Sequence, residues 1–225
     1  MNQCGKQGLR LSALNRIRGT EMLAFTLIGA DDGSTMLPNS LTSLDPAIRP
    51  NLYLTGFMGT GKSAVGRRVA YHLGMQFMDS DHTIEASEGL TIPKIFELHG
   101  EPHFRELERK FIFGGHPNHG LVVSCGGGLI MQPGLLDHMK SFGLVIALYA
   151  SPETILERVS GDTNRPLLQV PDPKARIIEL LEIRNPIYRE VGLGIITDGR
   201  AIHEVADHVI RLYVDRFGLP SERGS

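Results

Sequence analysis

Residues 56–63 read GFMGTGKS, and the organisation of the rest of the chain follows from them. They match the pattern G-x-x-x-x-G-K-[ST] and stand between an apolar run that predicts a strand and an amphipathic run that predicts a helix. Glycines let backbone N–H groups curl around phosphate oxygens, and the start of the helix adds its positive end. The stretch therefore predicts a phosphate loop for a nucleoside triphosphate, with Lys62 on the outer phosphates and the Ser63 hydroxyl on Mg²⁺.

Short apolar runs alternate with amphipathic stretches on both sides of this loop, from Pro50 onward. The runs that predict strands are NLYLT, MQFMD, LVVSC, LVIALYA and LGIITD. The stretches between and after them predict helices, and the longest, PKARIIELLEIRNPIYREV, should be interrupted before Pro186. Strands that alternate with helices predict an α/β fold with a five-stranded parallel sheet covered on both sides.

Length and composition exclude several classes of protein. A chain of 225 residues, of which 41% are hydrophobic and 21% charged, suits one globular domain. The net charge of −2 argues against nucleic acid or an anionic membrane as a partner. No apolar run approaches the roughly 20 residues that span a bilayer. Two cysteines are too few for a disulfide framework or a zinc site, so we expect a reducing compartment, the cytoplasm.

The segment 1–48 differs from the rest because it is rich in turn-forming residues and has no sustained helical or strand period. Its first part carries basic residues without acids, as in an organelle transit peptide, which would direct the protein to a plastid or another organelle. A disordered tail, or a true start at Met22 or Met36, explains the segment equally well, and we favour these two. We expect a domain over 49–217 and a disordered tail over 218–225.

The stretch FMDSDH bears on what receives the phosphate. If the strand continued through it, Asp79 and Asp81 would point to the same side and repel each other unless a cation or a set of hydroxyl groups lay between them. A solvated strand end explains the same residues more simply. The chain lacks the N-K-x-D of a guanine-reading GTPase and is short for an ATPase motor, so a small-molecule kinase is the remaining class.

Arginines and glycines further along suggest that the acceptor is an anion. Arg105 lies on a predicted helix among glutamates, although surface ion pairs would explain it equally well. Gly126–Gly128 follow a buried strand, where three glycines indicate unusual dihedral angles or close approach of a ligand. Arg165 lies in a loop and Arg184 at the expected helix break. Guanidinium groups match carboxylates bidentately, which agrees with an anionic acceptor.

The order of these motifs resembles the shikimate kinase family. The family pattern is a phosphate loop, D-S-D, I-F-x-x-x-G-E-x-x-F-R-x-x-E, G-G-G, R-P-L-L and R-x-P-x-Y-x-E. Here the motifs stand as GFMGTGKS, DSD, IFELHGEPHFRELE, GGG, RPLL and RNPIYRE, within residues 50–214. The resemblance implies a P-loop nucleoside-monophosphate-kinase-like fold with a mobile lid near 160–172. It also implies a monomeric enzyme that uses ATP to phosphorylate the 3-hydroxyl of shikimate, a step towards aromatic amino acids.

The resemblance further implies a role for each motif residue. Asp79 supports Mg²⁺ beside Ser63, and Asp81 holds the shikimate hydroxyls and accepts the reacting proton. The implied catalytic residues are Lys62, Asp81 and Arg165, the last on the lid. The implied ATP-binding residues are Gly59, Thr60, Gly61, Lys62, Ser63, Ala64, Arg158, which packs against adenine, and Arg165. The implied shikimate-binding residues are Asp81, Arg105, Gly126, Gly127, Gly128 and Arg184. Ser124 would help to hold water bound to Mg²⁺.

Two features depart from the family pattern. Ala64 stands where most relatives have threonine, which removes one hydroxyl group from the α-phosphate. The stretch FGGHPNHG replaces a longer helix-like segment, and its His116 and His119 could suggest a metal pair, although we expect both to be solvated.

Two other functions compete with this one. A related small-molecule kinase, such as a gluconate kinase, should lack the combination of G-G-G with R-x-P-x-Y-x-E. A module that binds shikimate as a sensor without catalysis should have lost Lys62, Asp79, Asp81 or Arg165, and all four are present.

Overall fold

The computed structural model describes residues 49–160, 166–168 and 170–218. The segment 1–48, residues 161–165 and 169 of the predicted lid, which include Arg165, and residues 219–225 of the predicted tail lie outside the described residues. Within them the chain forms five strands, β1 (Asn51–Gly56), β2 (Gln76–Asp79), β3 (Leu121–Ser124), β4 (Gly143–Tyr149) and β5 (Gly194–Ile196). The α-helices are α1 (Lys62–Leu73), α2 (Ser80–Glu88), α3 (Ile92–Gly114), α4 (Leu135–Phe142), α5 (Pro152–Val159), α6 (Pro173–Glu190) and α7 (Ile202–Phe217). Short 3₁₀ helices span Leu129–Met131 and Pro166–Leu168.

The sheet is parallel throughout, with the strand order β2-β3-β1-β4-β5, which confirms the predicted fold. The chain leaves β1 for the edge strand β2, returns through β3 and then crosses to β4 on the other side of β1. The direction of the crossover therefore changes at β1. In open parallel sheets, ligands bind outside the carboxyl ends of the strands at such a point.

Two hydrophobic cores cover the two faces of the sheet. Because side chains alternate along a strand, Tyr53 of β1 enters the core formed with α3 to α6, whereas Leu52 and Leu54 enter the core formed with α1 and α7. The three central strands, β3, β1 and β4, are buried on both faces, as their nearly continuous apolar sequences predict. None of the described helices is long and apolar enough to cross a membrane.

Helix α6 differs from the prediction because it runs without interruption through Pro186. Proline removes one helical hydrogen bond and opposes a continuous helix. Buried residues lie on both sides of this position, including Leu181 before it and Tyr188 after it, so both parts pack on the same core. Tertiary packing therefore outweighs the local preference, and the predicted helix break is wrong.

Helix α3, in contrast, is broken between the stretches TIPKIFELHG and EPHFRELERKFIF, which the sequence predicts as separate helical segments. Gly100 has φ 78° and ψ 170°, which are not helical values, and Pro102 follows it. A positive φ is accessible to glycine at little steric cost, so the chain can change direction here. The two parts of α3 consequently present different residues to the same end of the sheet.

The segment after α3 corrects the expectation that both of its histidines are solvated. His116 is only 8% exposed and its ring lies 5.0 Å from the Phe111 ring and 5.7 Å from the Tyr53 ring, centroid to centroid. Burial lowers the pKa of His116, although a hydrogen bond with the Pro117 carbonyl partly opposes this. His119 is exposed, as expected. The described residues contain no group of three or more His, Cys, Asp and Glu that could hold a metal ion.

Candidate active site

A cleft of about 1100 Å³ opens at the carboxyl ends of the strands. It is lined by segments that follow β1, β2 and β3 and by residues of α3, α5 and α6. Every predicted site residue that the structure describes lines this cleft: Gly59, Thr60, Gly61, Lys62, Ser63, Ala64, Asp79, Asp81, Arg105, Ser124, Gly126, Gly127, Gly128, Arg158 and Arg184. The sequence therefore identified the residues that come together, with Arg165 outside the described part.

The phosphate loop leaves the start of α1 open towards the cleft. Gly59 and Gly61 have φ values of 74° and 92°, so the loop turns back on itself in a conformation that glycine favours. Gly61 is the N-cap of α1 and has no side chain to accept the N–H groups of the first turn, which also contains no acidic residue. Lys62 Nζ donates to the Phe57 carbonyl at 2.8 Å across the loop. These N–H groups and the helix dipole form a site for phosphate.

Asp79 and Asp81 reach the cleft from a strand end and a helix start, so the predicted strand MQFMD ends at Asp79 and does not continue through both acids. Strand β2 ends at Asp79, which is the N-cap of α2 and accepts the backbone N–H of Asp81 at 3.2 Å through Oδ1. Asp81 lies in the first turn of α2, where the helix dipole favours a negative charge. The spacing of the two acids is that of a capping residue and a first-turn residue.

Three oxygen atoms meet where the phosphate loop faces the ends of β2 and β3. Ser63 Oγ lies 2.7 Å from Asp79 Oδ2 and 3.0 Å from Ser124 Oγ. Mg²⁺ prefers oxygen ligands and is commonly bound by one or two carboxylates, with water and substrate phosphates in the remaining positions. The hydroxyl and carboxylate donors of this cluster therefore fit Mg²⁺.

The glycine segment, Gly126–Gly128, is required by close approach and not by unusual dihedral angles, since none of its φ values is positive. A Cβ atom on Gly126 would collide with the Asp81 carboxylate, and one on Gly128 would collide with the Arg105 guanidinium. The groups that approach are therefore side chains of the site itself. Cys125, immediately before the segment, is buried, and burial raises the pKa of its thiol.

Arg105 is held between two carboxylates in very different surroundings. Its Nη1 donates to Oε2 of Glu108 at 2.8 Å, while Nε and Nη2 donate to Oε1 of Glu101 at 3.1 and 2.6 Å. The Glu101 side chain is 58% exposed and that of Glu108 only 1%. Gln132 also donates to Glu108 Oε2, at 3.0 Å. The surface ion pair that the sequence suggested for Arg105 is therefore its pair with Glu101, whereas its pair with Glu108 is buried.

The ionisation of this pair follows from its burial. Burial raises the pKa of Glu108, and the nearby positive charge of Arg105 opposes this only in part. Burial acts to lower the pKa of Arg105, but Glu108 and Glu101 outweigh it, so the pKa of the guanidinium is raised. Arg105 consequently keeps its positive charge at the wall of the cleft.

Arg158 connects the phosphate loop to the end of β5. Its Nη1 donates to the Gly59 carbonyl at 3.1 Å and to Thr197 Oγ1 at 3.0 Å, and its Nη2 donates to the Thr197 carbonyl at 3.1 Å. The start of the same helix, α5, is fixed by Asp198, which accepts from the Ser151 hydroxyl at 2.6 Å. Helix α5 is thus held at both ends, and the guanidinium of Arg158 has a fixed position at the wall of the cleft.

Some residues of the cleft were not assigned from the sequence. Glu108 stands three residues after Arg105 and was seen only as one of several neighbouring acids, because a helical pattern does not say which of them is buried. Phe96 and Phe104 form part of an apolar wall, with ring centroids 5.0 Å apart. The contact between Phe96 and Phe104 could not be predicted from their spacing in the sequence, because it depends on the conformation of Gly100 at the break of α3.

The chain is similar to proteins of one family over most of its described length. A family model described as shikimate kinase matches residues 58–213. The shikimate kinase of Caldanaerobacter subterraneus subsp. tengcongensis is 43% identical over 164 residues, which cover 73% of this chain and 96% of that protein. That of Thiobacillus denitrificans is 49% identical over 143 residues, 64% of this chain and 78% of that protein. The solved structure of a shikimate kinase from Acinetobacter baumannii in complex with shikimate matches with a TM-score of 0.72 at 42% identity, covering 75% of this chain and 95% of that one.

Proposed function

The chain belongs to the shikimate kinase family, and from this premise we propose that it transfers the γ-phosphate of ATP to the 3-hydroxyl of shikimate. The observation that carries the proposal is the order in which the phosphate loop, the Asp81 carboxylate and the Arg105 guanidinium lie along the glycine segment. Ser124, just before it, lies next to the phosphate loop, Gly126 lies against Asp81, and Gly128 lies against Arg105. A carboxylate held at the far end would bring a ring hydroxyl to Asp81 and the phosphate loop.

At the nucleotide end, backbone N–H groups of the loop and the start of α1 bind the phosphates. Lys62 neutralises charge on the outer phosphates, and Arg158 lies against adenine. Ser63 and Asp79 would hold Mg²⁺, with Ser124 in contact through water. When bound, the ion neutralises negative charge on the phosphates that flank the reacting bond.

At the acceptor end, Arg105 and Arg184 bind the carboxylate of shikimate, and Asp81 accepts a hydrogen bond from its 3-hydroxyl. The hydroxyl oxygen attacks the γ-phosphorus, the bond from that phosphorus to the bridging oxygen breaks, and ADP leaves. The hydroxyl proton passes to Asp81 and then to solvent. Phosphoryl transfer depends mainly on alignment and charge neutralisation, so Asp81 need not be a strong base. Arg165 would add positive charge from the lid.

The direct test is ADP release from ATP and Mg²⁺ with shikimate, and in parallel with gluconate, with quinate and with no acceptor. We expect release with shikimate far above the other three, together with formation of shikimate 3-phosphate. Release that depends on gluconate would favour the related-kinase alternative. Tight shikimate binding without ADP release would favour the sensor alternative and would refute catalysis.

We also propose that the enzyme acts as a monomer in the cytoplasm. The cleft gathers the described residues of the proposed site from several elements of a single chain, which supports a site that needs no second copy. Light scattering on a sizing column would test this, because a dimer would elute with twice the mass of the chain.

A further inference from the structure

We propose that Tyr188 is a positioning residue for shikimate, which acts by coupling Arg184 to the backbone of the glycine segment. The inference rests on the proposed function, because it concerns the same acceptor site. Tyr188 does not line the cleft itself. Its effect would pass through Arg184 and Gly127, both of which do.

The contacts bring three groups together at the acceptor end of the cleft. Tyr188 is 1% exposed, and its hydroxyl donates to the carbonyl of Gly127 at 2.5 Å. Arg184 lies against the same glycine, because its Nη1 would be 3.5 Å from a Cβ atom on Gly127. The Tyr188 hydroxyl therefore fixes the backbone against which the Arg184 guanidinium lies.

The continuous course of α6 makes this contact possible. Arg184 and Tyr188 stand four residues apart, so they lie on one face of a helix, one turn from each other. An interruption at Pro186 would turn the two side chains away from each other. The guanidinium of Arg184 also lies 5.4 Å from the centre of the Phe57 ring, which limits its movement on a second side.

The protonation of Tyr188 suits a permanent donor. Burial raises its pKa to about 12, although Arg184 acts in the opposite direction. The hydroxyl therefore stays protonated throughout the neutral range and always has a proton for the Gly127 carbonyl. Loss of this group would release Arg184 from the glycine segment without removing any charge from the cleft.

A second buried tyrosine offers a matched control. Tyr213 on α7 is 0% exposed, its hydroxyl donates to the Pro50 carbonyl at 2.5 Å, and burial raises its pKa to about 12. It belongs to the core on the other face of the sheet, with α1 and α7. Tyr213 thus shares the burial and the backbone acceptor of Tyr188 but lies away from the cleft.

The experiment compares Tyr188→Phe with Tyr213→Phe in thermal unfolding and in steady-state kinetics. Each variant loses one buried hydrogen bond, so both melting temperatures should fall by similar amounts. We expect Tyr188→Phe to raise the KM for shikimate about three- to tenfold, the worth of about one hydrogen bond, with kcat and the KM for ATP changed less than about twofold. Tyr213→Phe should leave all three constants within about twofold of the wild type.

A double variant tests whether Tyr188 acts through Arg184. Arg184→Lys alone should raise the KM for shikimate, and adding Tyr188→Phe should raise it little further, because the coupled group has already changed. The proposal is overturned if Tyr188→Phe loses stability but keeps the wild-type KM, if Tyr213→Phe raises KM equally, or if the two effects multiply. Failure of the proposed function is seen separately, as wild-type protein that releases no ADP with shikimate.

Discussion

The two halves of the cleft are built in different ways. The nucleotide half is one continuous segment, Gly59–Ala64, whose backbone supplies most of the phosphate donors. The acceptor half depends on the side chains of Asp81, Arg105 and Arg184, which come from α2, α3 and α6. A site made from backbone should tolerate side-chain changes, whereas a site made from distant side chains should fail when any support moves. Four predictions follow this difference.

Asp81→Asn should have the strongest effect, because it removes the proposed proton acceptor and keeps the shape of the side chain. We expect kcat to fall by at least about 100-fold, a loss typical of a positioned base. The KM for ATP should stay within about twofold, since the phosphate loop is untouched. A variant with more than about a tenth of wild-type kcat would contradict the assigned role, because general bases contribute at least about 100-fold.

Gly128→Ala should damage the acceptor half alone. The added methyl group would collide with the guanidinium of Arg105, the end of a flexible side chain that would have to move away from the buried Glu108, so some loss of stability should accompany the change. Movement of Arg105 should raise the KM for shikimate about tenfold or more, as expected for loss of a charged hydrogen bond.

Gly127→Ala is the matched control for that change. A methyl group on Gly127 would make only ordinary contacts, 3.4 Å from the Gly56 carbonyl and 3.5 Å from Arg184 Nη1. Its KM for shikimate should therefore change much less than that of Gly128→Ala. If both variants raised the KM for shikimate equally, the glycines would be needed for flexibility of the segment and not to leave room for Arg105.

Ala64→Thr should strengthen the nucleotide half. Ala64 is exposed and lines the cleft near the start of α1, so a hydroxyl there could donate to the α-phosphate. We expect the KM for ATP to fall by up to about tenfold, the worth of one hydrogen bond to a charged group. Ala64→Val has the same shape without the hydroxyl and should show no gain. A lower KM in both variants would point to packing as the cause.

His116 should affect stability at acid pH and neither half of the cleft. Its pKa is lowered in the folded protein, so below the ordinary value of about 6.5 the unfolded chain binds more protons. The free energy of unfolding should therefore fall as the pH drops from that value towards the folded pKa, by at most about 1.4 kcal/mol per pH unit.

Denaturant unfolding between about pH 5 and 8, the range in which histidine titrates, would measure this slope. His116→Phe should flatten it and leave both KM values unchanged. His119→Gln should keep the wild-type slope, because His119 is exposed in the same segment. An unchanged slope in His116→Phe would show that other groups carry the acid sensitivity.

The difference between one continuous segment and groups from distant elements also explains what could be predicted from the sequence. The phosphate loop and the parallel sheet depend on neighbouring residues, so the pattern of the chain contains them. The end of β2 at Asp79 follows the predicted run MQFMD, whereas the role of Asp79 as the N-cap of α2 was not predicted. The course of α6 through Pro186 and the burial of His116 depend on packing against distant residues, which no local pattern reports.

The buried thiol of Cys125 can report how often the end of β3 opens. A thiol reacts as its thiolate, and burial suppresses both that form and the access of a reagent. Alkylation of Cys125 therefore requires the end of β3 to open. The alkylation rate in the native protein measures how often this local opening occurs. Opening there would also separate Ser124 from Ser63. Ligands that bridge the two halves of the cleft should slow the alkylation of Cys125. In a chain with Cys4 replaced by serine, the alkylation rate would therefore report occupancy of the cleft without any measurement of phosphate transfer.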